Sequence, residues 1–236
     1  MKALLLAAGL GARLRPLTEK IPKCLVPIRG KPLLAYWLDL LIPGGIEQVL
    51  INTHHLASRV REFRAESPWR ERMTLVHETA LLGTGGTILA NRAFFRNETF
   101  LVAHADNLSR FSVADLLRAH EQRPPSAAMT MMTFDTDAPQ TCGIVESDPT
   151  GLVRRFHEKV ANPSGNRANA AVYVVEPEVI EVLASLRKTV IDFSTEAIPH
   201  FLGRIATFHN ADYHRDIGTP ESLLAAARDY PATERR

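Results

Sequence analysis

Two glycines, two cations and one carboxylate carry the first chemical signal in this chain. Gly9 and Gly11 stand one residue apart and follow a short apolar run, Lys2 to Ala7, long enough for one buried strand. Glycine reaches backbone angles that other residues avoid, and it lets a ligand come close to the chain. Successive backbone N–H groups in such a turn can cradle a phosphate. Arg13 then adds a planar fork of donors, and Lys23 a mobile point charge. Much later, Asp106 lies just past the apolar run Thr99 to His104. A carboxylate beyond a strand end can hold Mg²⁺, a hard ion that prefers oxygen ligands and phosphates. A strand, a glycine turn and two cations describe a site for a nucleoside triphosphate. By spacing alone, the pair also fits a plain tight turn, and Asp106 a turn or capping residue. Two other nucleotide motifs are excluded. Leu14 stands where the dinucleotide fingerprint needs its third glycine, and no Gly-Lys-Ser/Thr phosphate loop is present.

These residues need a framework. Gln48–Thr53, Met73–His77, Thr99–His104, Ala127–Phe134, Asn169–Val174 and Arg204–His209 read as further strands. Leu33–Leu41 reads as a helix with Pro32 at its first position, ended by Pro43-Gly44-Gly45. Ala57–Glu66, Ile88–Phe95, Ser112–Glu121, Glu178–Leu186 and Leu223–Arg228 read as helices, the last capped by Thr219 with Pro220 at its first position. Cys142 to Phe156 reads as a hairpin turning at Pro149-Thr150-Gly151. His54 and His55 suggest metal, but adjacent side chains point apart in most backbones, and a loop after a strand is the simpler expectation.

The 236 residues suit one large domain, or one domain with a small lobe. The chain is 45% hydrophobic and 23% charged, which allows an ordinary globular core. A formal net charge of +2 with no basic run excludes a nucleic-acid surface. Glu234-Arg235-Arg236 reads as a solvated end. Cys24 and Cys142 lack metal-ligand spacing and read as reduced thiols, which favours a cytoplasmic setting. No stretch approaches the roughly 18 apolar residues of a membrane span, and no signal peptide is expected ahead of the first strand.

The longer string is more specific. Leu6-Ala7-Ala8-Gly9-x-Gly11-x-Arg13-Leu14-x-Pro16-Leu17-Thr18, followed by Pro22-Lys23 and Pro27, resembles the signature of the sugar-1-phosphate nucleotidyltransferases, or NDP-sugar pyrophosphorylases. The resemblance implies an α/β fold: a Rossmann-like mixed, mostly parallel sheet flanked by helices, with a small sugar-binding lobe. A single domain over 1–236 would then hold nucleotide with about 1–110 and sugar phosphate with about 111–228. It implies that Ala7, Gly9 and Gly11 wrap the triphosphate, that Arg13 holds the departing pyrophosphate, and that Lys23 contacts phosphate near the reacting centre. Glu78 and Gly83 would sit against the base. The string Leu82-Gly83-Thr84-Gly85-Gly86 is especially similar to bacterial sugar guanylyltransferases.

Further strings extend the likeness to about residue 228. Val102-Ala-His104-Ala105-Asp106-Asn107-Leu108 resembles the family's apolar-x-Gly-Asp-x-Leu, with Ala105 where glycine is usual. Gly143-Ile-Val145 and Phe156-His-Glu158-Lys159 resemble one wall of the sugar-phosphate site, which implies Glu158 on sugar hydroxyls and Lys159 on the phosphate. Asn169-Ala170-Ala171-Val172-Tyr173 resembles Asn-Ala-Gly-Ile-Tyr, which implies Asn169 on sugar and leaves Ala171 again in place of glycine. Asp216-Ile217-Gly218-Thr219 resembles Asp-x-Gly-Thr, whose aspartate joins Asp106 in holding Mg²⁺. The long C-terminal extensions of regulated members are not expected, so the chain reads as the catalytic unit, and short members of this kind are commonly homodimers.

The implied reaction joins a nucleoside triphosphate to a sugar 1-phosphate and releases pyrophosphate. Glu78 favours guanine, because an ionised carboxylate only accepts hydrogen bonds and guanine offers two adjacent donors. Leaving such a group unpaired costs about 1–3 kcal/mol. The best expectation is GTP with a mannose- or heptose-type 1-phosphate. UTP with N-acetylmuramate 1-phosphate is the main rival. A non-catalytic nucleotide-sugar sensor would keep the same pocket without turnover. Transfer to phosphocholine would keep the chemistry, but the sequence has no aromatic cluster to cage a quaternary ammonium.

Overall fold

The computed structural model of the chain describes residues 1–231, and the charged end at Glu234 to Arg236 lies outside the described residues. The chain opens with strand β1 (Lys2–Leu6). Three short 3₁₀ turns follow, then a two-residue ladder between β2 (Pro27–Ile28) and β3 (Lys31–Pro32). Helix α1 (Leu33–Leu41), β4 (Gln48–Thr53), α2 (Ala57–Glu66) and β5 (Met73–His77) come next. After α3 (Gly83–Ala90) and α4 (Arg92–Phe95) come β6 (Phe100–His104), β7 (Asn107–Arg110) and α5 (Val113–Glu121). The second half holds β8 (Met129–Asp135), β9 (Gly143–Ser147), β10 (Val153–Glu158), β11 (Arg167–Val175) and α6 (Glu178–Ser185). It closes with β12 (Ile205–His209), β13 (Tyr213–Asp216) and α7 (Pro220–Asp229).

The main sheet runs β10-β9-β11-β6-β1-β4-β5, with β8 paired to β11 and to β12. β6, β1, β4 and β5 are parallel, in a register that sets Leu6 beside both His104 and Asn52, and Thr53 beside His77. Their carboxyl ends therefore finish along one edge, where open α/β sheets bind ligands. β11 turns antiparallel against β6 and begins the other half of the sheet.

Helices cover both faces because β1 is apolar on both. Ala3 and Leu5 join one core with α1 and α5, whose Leu34, Trp37, Leu38 and Leu116 are buried there. Leu4 and Leu6 join a second core with Ile88, Leu183 and Phe193. This is the two-residue alternation of a strand buried on both sides. Each such leucine removes apolar surface worth about 1.5–3 kcal/mol.

Three local expectations are corrected. Pro32 sits at the N-cap of α1 in extended backbone, one residue before the first helical position. The helix expected at Ile88–Phe95 starts at Gly83 and breaks after Ala90. The glycines are inside α3 because its N-terminal turn packs on the loop at Ile191, whose carbonyl accepts from the N–H groups of Gly85 (2.9 Å) and Gly86 (3.3 Å). That tertiary contact offsets glycine's low helix propensity. Third, β7 and β13 have no counterpart among the expected strands. They pair antiparallel, placing Asp216 opposite Asn107.

Candidate active site

The glycine turn is braced from both ends. Gly11 adopts φ +63°, and a Cβ there would lie 2.8 Å from Thr18 Cγ2, so both conformation and space require glycine. The buried Thr18 hydroxyl donates to the Gly11 carbonyl at 2.8 Å. Gly9 is exposed, and a Cβ there would meet nothing within 4 Å, so its openness faces the cleft instead. His55 Nε2 donates to the Thr18 carbonyl at 2.9 Å, and His54 Nδ1 to the Glu78 carbonyl at 2.7 Å. The two histidines thus point to different partners and act as braces. The Ala7 N–H is committed too, donating to Asn52 Oδ1 at 2.7 Å.

Lys23 is the hub. Its ammonium donates to Asp106 Oδ2 at 2.8 Å and to Asp216 Oδ1 at 3.3 Å. Arg13 Nη2 reaches Asp216 Oδ2 at 3.4 Å. The Lys23 side chain is only 7% exposed, whereas those of Asp106 and Asp216 are 40% and 51% exposed. Burial pushes the Asp106 carboxyl up, but the Lys23 ammonium, His104 and hydrogen bonds outweigh it and hold the group below its usual value. β7 and β13 assemble this cluster, since the Ile217 N–H donates to the Asp106 carbonyl at 3.2 Å. Gly218 completes it: a Cβ there would lie 2.6 Å from both Arg13 Nη2 and Asp216 Oδ2. The Asp-x-Gly spacing contained that signal, since a glycine two residues after a charged ligand marks close approach.

The base end of the cleft differs from expectation at Glu78. This residue is buried, and its carboxylate is already engaged. Oε1 accepts from Asn52 Nδ2 at 2.9 Å and from Thr87 Oγ1 at 2.6 Å, while Oε2 accepts from the Leu82 N–H at 3.3 Å. Three of about four lone-pair positions are used. A free two-donor clamp for guanine is therefore not formed, and Glu78 chiefly orients Asn52 and Thr87. Gly83 is needed for the fold: its φ is +72°, and a Cβ would lie 2.4 Å from the Ile191 carbonyl oxygen. Ala7, Gly9, Lys23, Glu78, Gly83 and Asp106 line one cleft together. Cys24 lines it as well, with burial pushing its thiol up to about 12, so it is inert there.

Arg13, Lys159 and Asp216 line a second, adjoining cavity. Lys159 follows β10 in a left-handed conformation, φ +50°, that costs a non-glycine residue about 1–2 kcal/mol. Its ammonium lies 3.2 Å from Glu158 Oε1. Gly143 leaves room for this corner, since a Cβ would fall 2.5 Å from the Phe156 ring and 2.7 Å from Glu158 Oε2. Asn169 is engaged locally: its Nδ2 donates to the Tyr173 hydroxyl at 2.6 Å, and its Oδ1 accepts the Ala171 N–H at 2.9 Å. These bonds close a bulge in β11 between Asn169 and Tyr173, where Ala171 takes φ +53°. The glycine expected at that position has its physical reason here. Neither Gly11, Gly143, Glu158 nor Asn169 lines either cavity.

Sequence reading missed Thr87, His104 and His214 as lining or positioning groups. His104 ends β6 two residues before Asp106 and shares its cleft. His214 lies in the second cavity, 2.6 Å from the Ser109 hydroxyl. Burial lowers both, His214 to about 3.

Known proteins are similar to this chain in sequence and fold. A mannose-1-phosphate guanylyltransferase of Mycobacterium tuberculosis is 33% identical over 232 residues, covering 96% of this chain and 64% of that protein. A UTP–glucose-1-phosphate uridylyltransferase of Synechocystis is 30% identical over 199 residues, covering 78% of this chain and 51% of that protein. The chain thus spans less than two thirds of the length of these relatives. HddC of Yersinia pseudotuberculosis, solved in complex with GMP-PN, has the same fold at TM-score 0.82 and 23% identity, covering 98% of this chain and 99% of that one. Residues 2–233 match the nucleotidyl transferase family, and the chain belongs to it.

Proposed function

We propose that this protein transfers a nucleotidyl group from a nucleoside triphosphate to a sugar 1-phosphate, forming an NDP-sugar and pyrophosphate. The observation that carries the reading is the buried Lys23 ammonium between Asp106 and Asp216, at the meeting point of two cavities. One cavity lies at the carboxyl ends of β1, β4 and β6, and the other opens beside Arg13 and Lys159. An oxygen of the sugar phosphate attacks the α-phosphorus in line. The bond to the β-phosphate oxygen breaks, and its electron pair leaves with pyrophosphate. No protein nucleophile is needed, so positioning and charge neutralisation supply the rate. Arg13 stabilises the leaving pyrophosphate, Lys23 the reacting phosphate, and Lys159 the acceptor phosphate.

Asp106 and Asp216 suit Mg²⁺. Both are hard oxygen donors, and they converge on a point where a cationic ammonium already sits. Two carboxylates fit an ion that takes one or two protein carboxylates and completes its shell with substrate phosphates. When bound, that ion would draw negative charge from the phosphates it touches.

For the base we favour GTP, with a mannose- or heptose-type acceptor; GTP and mannose are in keeping with the name of a relative one-third identical. With one lone pair left on Glu78, the preference over UTP is on the order of tenfold rather than a hundredfold. UTP is the second reading, favoured by the committed Glu78 carboxylate and by the uridylyltransferase relative. The deciding experiment crosses four triphosphates with a panel of sugar 1-phosphates and reads pyrophosphate release. Equal use of GTP and UTP would overturn the base assignment, and no release from any pair would overturn the reaction.

A further inference from the structure

We infer that the acceptor is a hydroxyl-rich sugar 1-phosphate whose only charge is its phosphate, and that sugars bearing a carboxylate are rejected. This rests on the reading of the second cavity as the acceptor site. Three carboxylates line that cavity, Asp135, Asp137 and Asp216, against three cations, Arg13, Lys159 and Arg215. Every cation already has a commitment. Arg13 pairs with Asp216 and Lys159 with Glu158. Arg215 pairs with Asp229 at 3.4 Å and donates from Nε to the Tyr213 hydroxyl at 3.1 Å. His214 is engaged by Ser109 and by the Phe134 ring, 4.3 Å away between centroids.

The cavity is therefore balanced in charge before any substrate enters. The reaction then brings a triphosphate and a second phosphate, which take up Arg13 and Lys159. A carboxylate elsewhere on the sugar would face Asp135 and Asp137 with no free cation to receive it. Arg167 offsets Asp135, pairing with it at 2.8 Å. Asp137 is exposed and has no ion-pair partner among the described residues. Sugar hydroxyls suit the same lining. They donate to carboxylates, which only accept, and they exchange bonds with Thr136 and Thr141, which do both. Acids such as uronates, or the lactyl ether of N-acetylmuramate, do not suit it.

The test uses the purified full chain and acceptor pairs in which one member carries a carboxylate: mannose against mannuronate, glucose against glucuronate, and N-acetylglucosamine against its lactyl ether N-acetylmuramate, all as 1-phosphates. Pyrophosphate release gives kcat/KM for each with the preferred triphosphate. The best neutral acceptor is expected to exceed its acidic twin at least tenfold, and Asp137→Lys to narrow that gap. An acidic twin within tenfold, or used without its neutral partner, overturns the inference and leaves the reaction standing. So does an unchanged gap in a folded Asp137→Lys protein; if that variant does not fold, the matched pairs alone decide. No release from any acceptor removes the underlying reading and the inference with it.

Discussion

The two ends of the proposed site are built on opposite plans. At the base end, polar atoms are buried and engage one another: Ala7 N–H with Asn52, Asn52 and Thr87 with Glu78, and the Leu82 N–H with Glu78. At the reacting end, the charged groups are open. Arg13 and Lys159 side chains are 67% and 65% exposed, and only Lys23 is sunk. Buried networks are stiff and costly to break, because each orphaned polar group carries its full desolvation penalty. Exposed ion pairs contribute little to stability, typically about 0–1 kcal/mol. The base end should therefore govern folding and fit, and the reacting end should govern rate.

The sharpest way to break that contrast is Asp216→Ala. Pyrophosphate release should fall on the order of a hundredfold or more, as when a charge-stabilising group is removed from a preorganised site. Stability should move by no more than about 0.5 kcal/mol, because Asp216 is half exposed and Lys23 keeps Asp106. Near wild-type turnover with Mg²⁺ would remove Asp216 from the mechanism, and a large drop in the denaturation midpoint would end the contrast.

Glu78→Gln is the mirror experiment. Whichever way the amide turns, its NH₂ faces a donor, either the Leu82 N–H or the Asn52 and Thr87 pair. A destabilisation of about 1–3 kcal/mol is expected, with a smaller ratio of GTP to UTP use. An unchanged midpoint in urea would show that the network is not stiff.

The parallel strands were largely legible in the sequence, and the strand pair that closes the charged cluster was not. β4, α2 and β5 match their expected bounds to the residue. Their apolar periodicity or turn-bounded runs are local signals. β7 and β13 have only four residues each, are rich in polar side chains, and pair Asn107 with Asp216 across more than a hundred positions. No local pattern reports such a contact, so Asp106 and Asp216 could be brought together only through resemblance. Glu78 failed differently. Its place beside the cleft was legible, but the partners that use its lone pairs come from β4 and α3, and one sequence does not display them.

A weaker effect should appear with pH. Burial lowers His104, His120 and His214 below their ordinary value of 6.5, His214 to about 3. The folded state then binds fewer protons than the unfolded chain, so this stability is present above pH 6.5 and is lost as pH falls below it. Each histidine contributes a slope of at most about 1.4 kcal/mol per pH unit. Urea midpoints at pH 7.5 and 5.5 should differ in that direction. His120→Gln should flatten the profile without touching the cleft, since His120 lines neither cavity and is held by Thr130 and Glu176. A flat wild-type profile would contradict the lowering of these three groups.

The smallest expected effect concerns Ala171. It sits at φ +53° inside the bulge of β11, and its N–H is held by Asn169 Oδ1. A Cβ in left-handed backbone crowds the following carbonyl, at about 1–2 kcal/mol for an ordinary L-residue. Glycine has no such strain, but it gains more freedom in the unfolded chain, worth about 0.4–1 kcal/mol. The difference leaves Ala171→Gly more stable by roughly 0.5–1 kcal/mol. The substitution removes one methyl beside Asn169 and leaves Lys23, Asp106 and Asp216 untouched, so turnover of the best acceptor should change by less than about twofold. A urea midpoint lower than that of the unmodified protein would show that the Ala171 methyl packs well enough to outweigh its strain. The bulge would then be held by side-chain contact rather than by the Asn169 bridge.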